Sequence, residues 1–117
     1  MGAAPLHGDG PVAPRPERIP DALREAIAVL APHRLGEMEQ EKNETLVMAV
    51  AQNSLGPIRM FLLRWAVVAE IERHPETARR LRRAEQVAAE SADPDLARRA
   101  VREAGDIIRA AHRELVA

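Results

Sequence analysis

The side chains able to hold a metal or move a proton are scattered along this chain. His7, His33, His74 and His112 fall in four different elements, and none stands four residues from another histidine or in a metal-ligand pattern with a carboxylate. A lone histidine directly before a proline, as at His74-Pro75, reads as a helix-boundary residue. Cysteine is absent, which excludes thiol catalysis, thiolate zinc sites and disulfides. Neither a phosphate-cradling Gly-rich loop nor a nucleophile elbow occurs. Glu37, Glu41 and Glu44 share a helical face and their spacing can gather carboxylates around a cation, but no histidine follows at the spacing a carboxylate-bridged metal site wants. They read as a solvated face. The sequence therefore assigns no catalytic, cofactor-binding or metal-binding residue, and the expectation is a non-enzymatic protein without a cofactor.

The sharpest charge feature is Arg79-Arg80-Leu81-Arg82-Arg83. Guanidinium forks match phosphate and carboxylate geometry, so Arg79, Arg80, Arg82 and Arg83 are the candidate nucleic-acid contacts. Four arginines in five helical positions nevertheless spread around the circumference instead of forming one stripe. Glu76 stands three and four residues from Arg79 and Arg80, within pairing distance on a helix. No aromatic residue interleaves the run, so base stacking is not on offer. A salt-bridged, solvated face is the favoured reading, with a nucleic-acid-binding regulator as the alternative.

At 117 residues the chain is the size of one small domain, and its formal net charge of -1 argues against a dedicated polyanion binder on overall field alone. Of the 17 basic residues only Lys42 is a lysine, the imprint of a GC-rich coding sequence. No run of apolar residues is long enough to span a membrane, and the first residues lack the pattern of a secretory signal. The expectation is a cytoplasmic protein with no membrane partner.

Prolines and glycines punctuate the rest into helices. Residues 1–18 carry Pro5, Pro11, Pro14 and Pro16 with three glycines and almost no large apolar side chain, which predicts a flexible tail. A single helical domain is expected over 19–117. Its first helix runs from Pro20 or Asp21 to about Leu30 with Leu23, Ile27 and Leu30 on one face. The second starts at Pro32, turns Leu35, Met38, Thr45, Leu46 and Ala49 inward, and ends near Asn53-Ser54. The fourth starts at Pro75. The fifth starts at Asp93-Pro94, where Asp93 can accept from orphan N–H groups, and continues to about Leu115. The short turn between these two predicts an antiparallel hairpin with small facing residues and an arginine-bearing outer surface. No alternating strand pattern competes, so the fold class is all-α: a compact bundle of about five helices.

The third helix, opening at Gly56-Pro57 and closing at His74-Pro75, holds both aromatic residues. Ile58, Phe61, Leu62, Trp65, Val68 and Ala69 make one apolar stripe, and Leu63, Val67 and Ile71 a second. A helix apolar on two faces belongs at the centre of a fold. If the second stripe is not fully covered, Met60, Leu63, Val67 and Ile71 become the candidate partner-binding residues. Met38, Met48 and Met60 lie on or near apolar faces, where methionine serves either as core filler or as an adaptable groove lining.

Ser54-Leu55-Gly56-Pro57 leading into Phe61-Leu62-x-Arg64-Trp65, then Glu72-x-His74-Pro75-Glu76 and an Arg-rich helix, resembles a family of short, uncharacterised actinobacterial proteins. Leu30-Ala31-Pro32 and Arg64-Trp65 carry the match, which covers roughly residues 20–90. Members look like genes found beside RelE/ParE-type toxins, so the resemblance implies an antitoxin or accessory role. The C-terminus departs from the many antitoxins that wrap a toxin with a disordered tail, because here it reads as a firm helix. The expected function is protein–protein interaction, with a toxin-like partner or a second copy of the chain.

Overall fold

The computed structural model describes residues 10–116; the first half of the expected N-terminal tail, residues 1–9, lies outside them. Five α-helices follow in order: α1 (Pro20–Leu30), α2 (Leu35–Gln52), α3 (Gly56–Glu72), α4 (Pro75–Glu90) and α5 (Pro94–Val116), with one 3-10 turn at Pro32–Arg34 before α2. No strand occurs among the described residues. The fold is all-α.

The prolines act as the sequence implies. Pro20, Pro75 and Pro94 open α1, α4 and α5, where a missing N–H costs nothing. Ala31 and His74, each directly before a proline, leave helical geometry at φ -149° and -115°. Pro32 starts a 3-10 turn instead of α2 itself, so α2 begins three residues later than the punctuation suggests. At the other end of α2, Asn53 takes the left-handed conformation at φ 49°. Its N–H bonds Val50 O at 3.2 Å and the Ser54 N–H bonds Ala49 O at 3.1 Å, a Schellman stop that asparagine tolerates. Ser54 Oγ then accepts the Gly56 N–H at 3.0 Å, at the first residue of α3. Before α5, Asp93 Oδ1 accepts the Asp95 N–H at 2.9 Å, the predicted N-cap.

The described residues form two compact units. One is Arg15–Ala69, holding α1, α2 and most of α3. Leu23, Ile27 and Trp65 are its largest fully buried side chains, and burying each of the two aliphatics contributes about 1.5–3 kcal/mol. The other joins Glu70–Ala117 with the N-terminal segment up to Pro14. Here α4 and α5 pack as a hairpin over Ala78, Ala84, Ala100, Ile107 and Ala111. Residues 10–18 have no regular structure, as their composition predicts, yet they are tied down at one point. The Val12 N–H bonds Arg73 O at 2.9 Å, and Arg73 Nε donates back to Ala13 O at 3.0 Å.

Candidate interaction surfaces

Within Arg15–Ala69 the polar chemistry gathers around Trp65. Its indole N–H donates to Glu41 Oε1 at 3.0 Å, and Arg64 Nε donates to the same oxygen at 2.7 Å. Arg64 Nη2 reaches Glu37 Oε2 at 3.0 Å, while Arg34 grips Glu37 with two bonds of 3.0 and 3.1 Å. Both guanidinium carbons lie near the indole ring, Arg34 at 5.0 Å and Arg64 at 5.4 Å from its centroid, within cation–π range. The Arg34 hydrogen bond, reinforced by Arg64, holds the Glu37 carboxyl below its ordinary range. Glu41 in turn raises the Arg64 guanidinium, chiefly through their hydrogen bond. Glu37 and Glu41, two of the three carboxylates on the α2 face, are thus occupied by arginines, and Glu44 accepts from Gln40 at 3.5 Å. Among the described residues no group of histidines and carboxylates is placed to hold a metal.

The same unit leaves an apolar surface open. From Thr45 to Gln52, α2 carries no charge, and its apolar residues run right around the helix. Met38 and Ala49 take the buried face. Leu46, expected to point inward, lies about 100° further round the helix than Thr45 and is exposed. Leu46, Val47, Met48, Val50, Leu55 and Met60 are between 47% and 81% exposed. Met48, Pro57, Met60 and Phe61 line an open groove of ≈ 720 Å³ between α2 and α3, with Arg59 and Arg64 also on its wall. Of the four residues proposed from the second stripe of α3, only Met60 stands open to solvent; Leu63 is half-buried, and Val67 and Ile71 are buried. The signal for the remaining open positions was in the sequence, as an uncharged segment without helical periodicity.

On the hairpin, the four arginines of α4 do not act as a set. Arg79 pairs with Glu76 at 2.6 Å and Arg82 with Glu72 at 3.6 Å. Arg83 is exposed, and Arg80 lines an open cleft of ≈ 810 Å³ together with Arg99, Arg102 and Arg113 of α5. Ile71, Ile107, Ala110 and Ala111 give this cleft an apolar portion. Glu70 also lines it, only 4% exposed and bonded by Arg73 Nη1 at 3.2 Å. His74 Nε2 lies 3.5 Å from Glu70 Oε2, one helical turn away, so this histidine stands at i, i+4 spacing from a carboxylate. Arg99, Arg102 and Arg113 share one face of α5, which their spacing shows, but their convergence with Arg80 depends on the hairpin packing.

Among the described residues no helix is long and apolar enough to cross a membrane. Residues 11–112 match a family model described as a Family of unknown function (DUF6247). No curated protein matches the chain, and no solved structure does.

Proposed function

We propose that this chain, which belongs to the DUF6247 family, is a protein–protein interaction module that docks an amphipathic helix of its partner on the open face of α2 and α3. The observation that carries this reading is the group of six large apolar side chains left open between Leu46 and Met60. Single exposed aliphatics are ordinary, but here two of the six, Met48 and Met60, border an open groove, and an apolar groove marks an interaction site. A helical segment apolar on all sides is otherwise found buried, and the C-terminal half of α2 has no cover on its outer side. Met48 and Met60 flank the groove with unbranched, adaptable side chains suited to an irregular apolar surface. Leu63 extends the patch from its edge. The antitoxin-like version, with a small toxin as partner, rests on the sequence resemblance. The alternative of nucleic-acid binding through Arg79, Arg80, Arg82 and Arg83 has less support, since Glu76 and Glu72 already hold two of the four.

The test is light-scattering mass of the protein alone and co-expressed with the product of its neighbouring gene, for the native chain and for Met48→Asp and Met60→Asp. A hetero-complex with the neighbour, lost in both variants with circular dichroism unchanged, is the expected result. A homodimer lost in the same variants keeps the module and replaces the toxin with a second copy. A monomer under both conditions sinks the reading.

A further inference from the structure

The α4–α5 cleft presents a second kind of surface. Arg80, Arg99, Arg102 and Arg113 line it, and none of the four has an ion-pair or hydrogen-bond partner among the described residues. Their neighbours behave differently: Arg79, Arg82, Arg98 and Arg109 are each paired with a carboxylate. Of the four carboxylates that line the cleft, Glu70 is paired with Arg73 and Asp106 with Arg109, while Glu103 and Glu114 stand among the arginines; with Arg73 and Arg109 counted, the guanidinium groups still outnumber the carboxylates. Isolated surface arginines are commonplace, but four unpaired ones converging on a cleft with an apolar portion have a recognisable complement. We propose that this cleft binds a short acidic amphipathic helix of a partner protein, whose carboxylates meet Arg80, Arg99, Arg102 and Arg113 while its apolar side packs on the exposed Ala110 beside the buried Ile107.

Three features select this ligand. Guanidinium groups bind carboxylates through paired, parallel N–H bonds, so arginine suits spaced carboxylates better than a point charge would. Arg99 and Arg113 lie about 21 Å apart along the axis of α5 at 1.5 Å per residue, which is roughly four turns of a docked helix. A nucleic acid fits less well. No phenylalanine or tryptophan is among the residues that line the cleft, so it offers no indole or phenyl ring on which a base could stack. This cleft shares no lining residue with the α2–α3 groove, and its test stands whether or not that groove binds a partner.

The experiment is fluorescence polarisation on the full chain with a labelled synthetic helix of about 20 residues bearing leucine and glutamate at i, i+4 spacing. Its Glu→Gln counterpart, a Glu→Lys counterpart, a short DNA duplex and a single-stranded RNA serve as competing probes. The glutamate peptide is expected to bind, to weaken as salt is raised, and to lose at least about tenfold in affinity in the double variant Arg99→Glu, Arg102→Glu. Arg113→Glu is the second variant should the first perturb folding. The Glu→Lys peptide is expected to bind the charge-reversed protein, which a merely structural effect would not produce. Equal binding of the glutamate and glutamine peptides, unchanged affinity in the variants, or tighter binding of either nucleic acid overturns the proposal.

Discussion

In Arg15–Ala69 the largest fully buried side chains are Trp65, Leu23 and Ile27, whereas the α4–α5 hairpin closes mainly over alanines, with Ile107 as its large contribution. Both units hold pairs three residues apart, but the reach of the longest ion pairs differs in the same sense. Arg64 reaches back 23 and 27 residues to Glu41 and Glu37, while Arg79, Arg98 and Arg109 each pair three residues away on their own helix. The two candidate surfaces differ in kind: Met48, Met60 and Phe61 border the α2–α3 groove, whereas four arginines line the α4–α5 cleft, although the hairpin also exposes Leu96, Val101 and Ile108. Bulk and long-range pairing let α2 and α3 keep their positions while part of their apolar surface stays uncovered. Close helix approach over alanine lets α5 line a cleft with charge. The two units therefore offer different chemistry to outside molecules.

The strongest way to break this contrast is Trp65→Ala. It removes a fully buried indole and leaves Glu41 without one of its two donors, so a loss of about 3–5 kcal/mol is expected in urea denaturation. Hydrogen exchange should show the loss concentrated in α1 to α3; equal loss through α4 and α5 would mean the two cores are not separate. Next comes Ala84→Leu, which tests whether the hairpin depends on small residues. Overpacking there should cost about 1–3 kcal/mol and raise exchange across α4 and α5, whereas a neutral result would show that the alanines leave room to spare. The smallest effect is acid sensitivity at Glu37. Its carboxyl is held below the ordinary glutamate range, so the stability it contributes is present above that range and lost as pH falls through its lowered folded-state value. Glu37→Gln should flatten the acid-side slope of stability for Arg15–Ala69, and an unchanged slope would remove the Arg34–Glu37–Arg64 cluster from the account.

The helix boundaries were legible because proline and glycine act locally. Pro20, Pro75 and Pro94 stand at the observed starts, and Asn53 stands at the predicted stop of α2. Burial was legible where periodicity was clean, as for Leu23, Ile27, Phe61 and Trp65. It failed at Leu46, because a segment apolar on every side has no period from which to choose an inward face. Val67 and Ile71 could not be divided between core and interface for a related reason: a second stripe on a doubly apolar helix looks the same in either role. The arginine cleft was invisible for a different one. It joins Arg80 to residues on the next helix, and spacing along one helix says nothing of what packs beside it. The bonds from Val12 and Ala13 to Arg73 were equally hidden, since the segment contributes only backbone groups, which every residue shares.

Those last bonds also bear on timing. Ala13 and Arg73 are 60 positions apart with all of α1 and α2 between them, so the N-terminal segment leaves the ribosome well before its anchor exists. At synthesis rates of about 5–20 residues per second, Val12 waits roughly 3–12 s for Arg73 to be made. The α4–α5 hairpin needs only a three-residue turn, so its contacts can form as soon as α5 emerges, whereas the N-terminal bonds require a long loop to close. The first part of this chain to be made can thus be among the last to find its place.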